Sequence, residues 1–310
     1  MRVFVAGATG AIGRPLVRQL IGAGHEVVGM TRSQERATAL RAEGAEAVVC
    51  DAHDAAGLHA AVTAARPDVL VHQLTDLPQE FSPRYKYGET NALRSEVTRN
   101  LIAAGREAGA GRIVAQSISF FLLPEGSMVK DEEAPTISSA NSDGVFAEAA
   151  DATLDLERQV TGAEGMDGLV LRYGFFYGPG TWFAEGTGLA KAYRRRMSPI
   201  VGSGRGVFSF VHIEDAAAAT VAAVERGATG VYNVVDDEPA PANEWMPAFA
   251  AAVGAGKPMR VPLWLGRLAA GGNAEAMETM RGASNEKAKR ELGWQPRYQS
   301  WRQGFREGLS

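Results

Sequence analysis

Cysteine is nearly absent from this chain: Cys50 is the only one in 310 residues. A single thiol rules out an intramolecular disulfide and a metal site built from several thiolates. Because Cys50 ends an apolar run, we expect it to be a buried core thiol, and we expect the protein to work in the reducing cytoplasm.

Long apolar runs and an excess of positive charge are also missing. No run reaches the ~18 apolar residues expected of a membrane span, and the first residues read as an apolar strand rather than a charged leader. The net charge is −4, without a basic stripe or polybasic tail. We therefore expect no membrane and no nucleic-acid partner, but a small-molecule substrate.

The clearest motif lies at the start of the chain, where the apolar run Val3–Ala6 leads into a glycine-rich turn and then a helical pattern. Glycines three residues apart let backbone N–H groups approach a diphosphate beside the positive end of the helix dipole. Three glycines alone also fit a tight turn without a ligand, but the helical spacing after Pro15 indicates a βαβ unit. The dinucleotide contacts predicted here are Gly7, Thr9, Gly10, Ala11, Ile12 and Gly13.

Strand-like and helix-like segments then alternate, as in a parallel sheet with helical crossovers. Strands are predicted near 2–6, 26–30, 46–50, 69–72, 112–116, 168–172 and 231–234. Helices are predicted near 13–23, 33–43, 55–65, 91–109 and 147–162. The fold class is α/β, a Rossmann-type doubly wound parallel sheet that binds its ligand at the carboxyl ends of the strands.

The pattern changes after about residue 174, where Pro, Gly and Trp become frequent and short helices no longer alternate with strands. We predict a smaller, partly discontinuous C-terminal substrate lobe from about 175–204 and 236–310. The nucleotide-binding domain is then 1–174 plus about 205–235, because Val207–Val211 and the helix after Asp215 are expected to return to the main sheet.

Further motifs follow the glycine turn in a fixed order. They are Asp51, Asn91 at the start of a long helix, Leu171-Arg172, Tyr177-Gly178-Pro179-Gly180, Phe210-Val211-His212-Ile213-Glu214-Asp215 and Ala288-Lys289-Arg290-Glu291-Leu292-Gly293-Trp294. With these motifs the chain resembles, nearly end to end, the extended short-chain dehydrogenase/reductase superfamily, the NAD(P)-dependent epimerase/dehydratase group. The resemblance implies an NAD(P) cofactor and a homodimer formed through helices 91–109 and 147–162.

The end of the second strand bears on the choice of cofactor. A carboxylate there would bind the ribose hydroxyls and repel a 2′-phosphate, whereas Thr31 and Arg32 offer a hydroxyl and a cation, with Arg36 one helical turn later. These groups favour NADP(H). Alternatively, both arginines only solvate the start of a helix.

The resemblance implies further cofactor contacts. Asp51 would meet the adenine amino group or, alternatively, cap a turn. The backbone around Gln73 and Leu74 would pass along the cofactor, while the neighbouring His72 side chain is structural. The other residues of the predicted cofactor site are Ala52, Asn91, Ser117, Tyr173 and Phe175.

The catalytic pair of the family is missing. Its members use a tyrosine and a lysine four residues later, and the lysine lowers the tyrosine pKa so that the phenol exchanges a proton with the substrate. None of the 7 tyrosines has a lysine at that spacing, and the expected segment reads Gly144-Val145-Phe146-Ala147-Glu148-Ala149-Ala150-Asp151-Ala152-Thr153. The chain therefore resembles atypical members that keep the cofactor fold and lose the standard active site.

Three residues are candidate substitutes near the expected nicotinamide position. Ser117 and Ser119 are candidate hydrogen-bond donors to a substrate oxygen, unless they satisfy backbone groups at a strand end; the family serine could also fall on Ile118. Tyr177 is the first candidate for a replacement proton donor. Its alternative is the structural tyrosine of a Tyr-Gly-Pro motif.

Other polar clusters are given weaker roles. Tyr85–Tyr87, with Lys86 between them, form either a second catalytic cluster or a mobile, solvated lid. Asp143, Glu148 and Asp151 are interpreted as solvated carboxylates. Arg194–Arg196 are interpreted as a solvated helix end or, second, a substrate-phosphate clamp. No side chains converge as ligands, so no metal is predicted.

Aromatic residues gather where the nicotinamide is expected. They are Phe120, Phe121, Phe146, Phe175, Phe176, Tyr177, Trp182 and Phe183. An aromatic-lined pocket suits a hydrophobic ketone, enone or aromatic metabolite better than a sugar nucleotide, unless these rings only fill the core between the lobes. We predict an NADP(H)-dependent oxidoreductase that reduces a carbonyl or conjugated double bond of a small, fairly hydrophobic metabolite. The alternatives are an NAD(P)-dependent epimerase/dehydratase, and a sensor or scaffold that binds NADP(H) without catalysis.

Overall fold

The computed structural model describes residues 1–78, 80, 87–142 and 146–310. Tyr85, Lys86 and Asp143, which the sequence analysis singled out, lie outside the described residues. Among the residues it does describe, no helix combines the length and apolar character that a membrane crossing requires.

The described chain alternates between strands and helices. The strands are β1 (Arg2–Ala6), β2 (Glu26–Thr31), β3 (Glu46–Val49), β4 (Val69–His72), β5 (Arg112–Ile118), β6 (Val129–Lys130), β7 (Asp167–Tyr173), β8 (Phe175–Tyr177), β9 (Ile200–Val201), β10 (Val207–Phe208), β11 (Phe210–His212), β12 (Gly230–Val234), β13 (Ala240–Pro241), β14 (Arg260–Val261) and β15 (Gly282–Ala283). The helices are α1 (Gly13–Gly22), α2 (Gln34–Ala42), α3 (Ala55–Ala65), α4 (Gly88–Ala92), α5 (Thr98–Ala108), α6 (Ala147–Thr161), α7 (Gly188–Arg194), α8 (Ile213–Glu225), α9 (Ala242–Ala252), α10 (Leu263–Ala270), α11 (Asn273–Thr279), α12 (Glu286–Leu292) and α13 (Trp301–Glu307). A π-helical turn, Leu93–Val97, joins α4 to α5.

The main sheet has seven strands within the described residues, all parallel, in the order β12-β7-β5-β4-β1-β2-β3. The order reverses between β1 and β4. A crevice forms at such a reversal, at the carboxyl ends of the strands, and ligands of doubly wound sheets bind there. The predicted α/β Rossmann-type fold is confirmed.

Burial on both faces explains why the strands read as apolar runs. In β1, Val3 and Val5 face one core cluster with Leu16 of α1, whereas Phe4 faces another with Leu101 of α5. Each fully buried side chain of this kind contributes about 1.5–3 kcal/mol. Cys50 is buried against the second cluster, as its position predicted.

Beyond β7 the chain returns to the main sheet at β12, and its other described strands form small two-stranded sheets. Directly after β7, Gly174 N donates to Val234 O and Phe175 N donates to Ser209 O. The next strand, β8, pairs in parallel with β11. The prediction that Val207–Val211 returns to the main sheet is wrong, because β10 and β11 pair with β13 and β8 instead. The helix that follows, α8, does pack on α1 of the main sheet.

The last part of the chain closes a third, aromatic core. Trp301 and Phe305 of α13 pack there against Phe210 and are 0% and 3% exposed. The carboxylate of Asp215 on α8 accepts hydrogen bonds from Arg297 N and Tyr298 N at 2.8 and 2.9 Å. These contacts fasten residues 297–309 to the base of α8.

Candidate active site

The glycine-rich turn after β1 is tightly built. Gly7 has φ +93°, and a Cβ at this residue would lie 2.8 Å from Gln73 O. A Cβ at Gly13 would lie 2.1 Å from Gly7 O, so α1 packs directly on the turn. Gly10 is exposed, and a Cβ at Gly10 would find its nearest atom, Gly7 O, 3.4 Å away. The backbone at Gly10 is therefore open to close approach by a ligand.

The start of α1 leaves few N–H groups for a ligand: Arg14 N donates to Gly10 O at 3.2 Å and Pro15 has none, but no hydrogen bond from Gly13 N is present among the described residues. No side chain of the described chain caps Ile12, and the first turn holds no acidic residue. Beside it, Thr9 Oγ1 lies 3.4 Å from Thr31 Oγ1, which ties the turn to the end of β2. Uncapped N–H groups at the positive end of a helix dipole fit the diphosphate of a dinucleotide.

The end of β2 presents two exposed arginines. Arg32 is 70% exposed, and its Nη2 lies 3.9 Å from Asp76 Oδ1. Arg36 is exposed on α2, where Ser33 Oγ accepts a hydrogen bond from its backbone N. Asp51, at the end of β3, is exposed and its Oδ1 accepts from His53 N at 3.1 Å. Its neighbour Ala52 is buried, so only the backbone of Ala52 can face a ligand.

The side chains at the end of β4 belong to the core. His72 Nε2 lies 3.1 Å from Thr98 Oγ1, and burial lowers the His72 pKa to about 4. This placement agrees with the structural role predicted for His72. Gln73 Nε2 donates to Tyr173 OH at 3.2 Å, and that hydroxyl also shares a hydrogen bond with Thr220 Oγ1 at 2.7 Å. Tyr173 therefore offers a cofactor mainly its backbone, whereas Gln73 Oε1 has no hydrogen-bond partner within the described residues.

Two further residues of the predicted cofactor site lie beside this end of β4. Leu74 is half-buried, and its N donates to His72 Nδ1 at 3.3 Å. Asn91 of α4 is half-buried, and its Oδ1 has no hydrogen-bond partner within the described residues. A buried acceptor left open in this way is available to a bound group.

The two serines at the end of β5, Ser117 within the strand and Ser119 just after it, differ in what they can do. Ser117 is 1% exposed, and its Oγ donates to Glu157 Oε1 at 2.6 Å. This bond uses the hydroxyl proton, which argues against the donor role predicted for Ser117. Ser119 N donates to Tyr173 O, while Ser119 Oγ makes no hydrogen bond in the described chain. Ser119 therefore keeps a donor for a substrate oxygen.

An aromatic cluster lies beside α6, near the segment where the sequence predicts the position of the family's tyrosine and lysine. We define it by Phe120, Phe121, Phe146 and Phe175. Phe120 stacks on Phe175 at 4.4 Å between centroids, and Phe121 lies 5.8 Å from Phe146. Ala150 is buried beside these rings. Because Phe120, Phe146 and Phe175 are only half-buried, their faces can line a pocket for an apolar ring.

Tyr177 is not placed to act on a substrate. It is 0% exposed, and its ring packs at 5.4 Å from that of Phe305 in the aromatic core. Its hydroxyl has no hydrogen-bond partner in the described residues, and burial, with the charge of Asp236, raises its pKa far above the ordinary value. This burial argues against the proton-donor role and corrects the prediction in favour of its structural alternative.

The remaining polar candidates do not converge on the crevice. Tyr87 packs edge-on against Phe146 at 6.2 Å. Hydrogen bonds from Ser139 lower the pKa of the half-buried Asp151 carboxyl. Arg194 Nε donates to Val253 O at 2.6 Å. In the part of the chain that the structure describes, no group of three His, Cys, Asp or Glu residues could hold a metal.

The sequence analysis missed a buried ion pair behind Ser117. Arg172 Nε and Nη2 donate to the two carboxylate oxygens of Glu157 at 2.7 and 2.6 Å. The pair holds α6 against the ends of β5 and β7. One signal was available: Arg172 is a charged residue within the otherwise apolar strand Leu169–Tyr173.

Known proteins with similar sequences identify the family of this chain. A family model described as the NAD dependent epimerase/dehydratase family matches residues 3–235. A 3-diazoavenalumate denitrifying reductase from a Streptomyces species is 45% identical over 307 residues, 98% of this chain and 99% of that protein. A 4-hydroxy-2-methyl-3-oxo-4-farnesyl-3,4-dihydroquinoline-1-oxide ketoreductase from Stigmatella aurantiaca is 28% identical over 244 residues, 77% of this chain and 69% of that protein.

The fold also matches solved structures. The UDP-glucose 4-epimerase of Thermotoga maritima has a TM-score of 0.76 at 19% identity, covering 100% of this chain and 97% of that one. The UDP-glucose 4-epimerase of Thermus thermophilus, solved with NAD, has a TM-score of 0.72 at 23% identity, covering 100% and 98%. The chain therefore belongs to the NAD dependent epimerase/dehydratase family, within the short-chain dehydrogenase/reductase superfamily, and is an NAD(P)-dependent oxidoreductase.

Proposed function

We propose that the protein is an NADP(H)-dependent reductase of a small, fairly hydrophobic aromatic molecule. The observation that carries this proposal is the aromatic cluster at the carboxyl ends of β5 and β7. Phe146 and Ala150 stand in the segment where the family keeps its proton-transfer pair. Apolar rings of this kind favour a flat apolar substrate over a sugar.

The absence of an acid in the cluster restricts the group that is reduced. When bound, NADPH supplies a hydride. A carbonyl that accepts this hydride also needs a proton. An aromatic diazonium group is instead replaced by the hydride and lost as N₂, so it needs no proton. For a carbonyl or conjugated double bond, Ser119 Oγ would hold the substrate oxygen and water would supply the proton. A diazo substrate is the second candidate. It is favoured by the apolar cluster and by the name of the Streptomyces relative.

The preference for NADP(H) is supported by Arg32 and Arg36 at the end of β2. Both are exposed, and the contact of Arg32 with Asp76 is loose at 3.9 Å. Arg32→Glu should therefore raise the Kd for NADPH about tenfold or more, since one charge-assisted contact is worth ~1.5–3 kcal/mol. The Kd for NADH should change far less. Arg306→Glu, at an exposed arginine on α13 outside the predicted dimer helices, serves as the control and should alter neither value.

The activity is tested by following NADPH absorbance with an aromatic ketone, an aromatic enone, a quinone, an aryl diazonium salt and UDP-glucose. We expect consumption with at least one aromatic acceptor and none with UDP-glucose. Evolution of N₂ identifies the diazo substrate. A protein that binds NADPH but consumes it with no acceptor would be the non-catalytic binder, and turnover of UDP-glucose would support an epimerase; either result contradicts the proposal.

Three further predictions, on assembly, domain division and location, belong to the same proposal. They are a homodimer through helices 91–109 and 147–162, a division into a nucleotide-binding and a substrate lobe at about residue 174, and a cytoplasmic location. Light scattering of the purified protein tests the dimer. Ala103→Asp, at an exposed alanine of the first helix, and Leu154→Asp, at a half-buried leucine of the second, should then each yield monomers.

A further inference from the structure

The outer face of α10 carries two large apolar side chains that are mostly exposed. Trp264 and Leu268, one helical turn apart on this face, are 62% and 77% exposed. The opposite face packs on the rest of the chain, because a Cβ at Gly266 would lie 2.3 Å from Val201 Cγ1. A surface helix normally turns its apolar side chains toward the core. The reversed arrangement in α10 therefore indicates a surface that binds a partner.

Further exposed apolar residues adjoin α10. Met197, Met259 and Leu265 are 69%, 54% and 41% exposed. Ile200 N donates to Met259 O at 2.8 Å, and β9 pairs in parallel with β14, so the segments that carry the two methionines lie side by side just before α10. We define the apolar patch by Met197, Met259, Trp264, Leu265 and Leu268.

The two segments that form the apolar patch carry only positive charge. Residues 191–200 contain four Lys or Arg and residues 255–270 contain three, without any Asp or Glu, although the whole chain has a net charge of −4. The two segments are in contact, because a Cβ at Gly256 would lie 3.3 Å from Arg196 Nη2. The exposed cations around the patch are Lys191, Arg194, Arg195, Arg196, Lys257, Arg260 and Arg267.

Most of these cations are available to an external anion. Arg194 lies 3.9 Å from Glu185, and Arg267 pairs with Glu275. The other five form no ion pair within the residues that the structure describes. Near an anionic lipid surface, each such cation contributes about 1 kcal/mol to binding.

Charge and apolar surface together favour one kind of partner. A second copy of this chain, docked patch to patch, would bring two sets of cations together, and this repulsion opposes association. A membrane with anionic headgroups suits both features, since Trp and Leu side chains enter the interface while Lys and Arg meet the headgroups. A protein that binds in this way lies on the membrane and needs no spanning helix.

We propose that the apolar patch and the cations around it dock the protein on anionic lipid membranes. The proposal goes beyond the reductase function and does not depend on it. It departs from the expectation of no membrane partner, which rested on the absence of a basic stripe from the sequence. The cations come from two segments more than 50 positions apart, so only the fold brings them together.

The test is flotation of the full chain with phosphatidylcholine vesicles that contain or lack phosphatidylglycerol. We expect the protein to float only with the vesicles that contain phosphatidylglycerol, and high salt should release it, because added ions screen the attraction. Trp264→Ser/Leu268→Ser should abolish flotation. Arg260→Gln should raise the apparent Kd for the anionic vesicles about fivefold, which corresponds to one cation near the surface.

Matched controls lie at the edge of the main sheet. Val49→Ser removes a side chain that is 44% exposed at the end of the edge strand β3, and Arg41→Gln removes an exposed cation on α2. Neither should change flotation. Because the patch side chains are exposed, the patch variants should keep the Tm and the Kd for NADPH of the unaltered protein; should the double variant fail to fold, Leu268→Gln replaces it.

Flotation with neither kind of vesicle, or equally with both, would overturn the proposal. Retention of flotation by the folded Trp264→Ser/Leu268→Ser variant would do the same. Concentration-dependent self-association that this variant abolishes would also overturn it, because the apolar patch would then be an interface between copies of the chain.

Discussion

Arg172→Met is expected to be strongly destabilising, because it leaves the buried carboxylate of Glu157 without its cationic partner. In the native protein Glu157 accepts two hydrogen bonds from Arg172, at 2.7 and 2.6 Å, and one from Ser117 Oγ at 2.6 Å. The side chains of Arg172 and Glu157 are 7% and 8% exposed. The substitution therefore leaves Glu157 with one neutral donor and little access to water.

The expected magnitude follows from this burial. Breaking a buried ion pair by removing one partner costs about 3–5 kcal/mol, mostly because the other charge is left uncompensated. A control lies on the same helix, where Arg158 pairs with Asp155 at 3.2 Å but is 72% exposed. Arg158→Met should cost at most about 1 kcal/mol, since exposed pairs contribute little.

Equilibrium unfolding in urea, followed by circular dichroism, measures both values. The double variant Arg172→Met/Glu157→Leu should recover most of the loss, because an apolar pair can replace a buried ion pair at little cost. The reasoning is refuted if Arg172→Met costs no more than Arg158→Met, or if the double variant is less stable than Arg172→Met alone.

Three further outcomes are expected. Gly13→Ala should lower the free energy of unfolding by about 1–3 kcal/mol and abolish NADPH binding, because its Cβ would lie 2.1 Å from Gly7 O; Gly22→Ala, in open space on the same helix, should be neutral or slightly stabilising. Tyr177→Phe should change kcat by less than about twofold and not reduce stability, since its hydroxyl is unbonded in the described residues; a tenfold loss of kcat would restore the proton-donor role. Because burial lowers the His72 pKa from 6.5 to about 4, only the unfolded chain takes up this proton between those values. The free energy of unfolding should then fall by roughly 3 kcal/mol as the pH drops from 6.5 to 4, and His72→Gln should flatten that part of the profile measured by urea titration.

The nucleotide-binding half could be predicted in detail because its signals are local. The glycine spacing after β1 and the apolar runs that become β4 and β7 each specify an element within a few residues. The predicted strand near 168–172 is Asp167–Tyr173 in the structure, and the helix near 147–162 is Ala147–Thr161. The spacing of apolar residues and the identity of turn residues are enough to predict such elements where each strand is followed by its own crossover helix.

The other half depends on partners that are distant in sequence. Nothing in Val207–Val211 indicates that β11 pairs with β8 rather than with the main sheet. Tyr177 lies in a loop-like motif, yet residues more than 100 positions later bury it. Lys130 begins the charged run Lys130-Asp131-Glu132-Glu133, which reads as solvated surface. In the structure Lys130 is 8% exposed and pairs with Ala283 of β15, a residue more than 150 positions later.

The packing of α13 onto β11 has a consequence for how the polypeptide is made. The family model ends at residue 235, but the rings of Trp301 and Phe305 complete the third core. During synthesis, all seven strands of the main sheet have left the ribosome once residue 234 emerges, whereas Phe210 and Tyr177 lack the covering rings of α13 until residues 301–309 emerge. Between these two stages of synthesis the nascent chain exposes the aromatic side chains of the third core, so chaperones should bind mainly at that stage. Fragments that end near residue 235 should aggregate for the same reason.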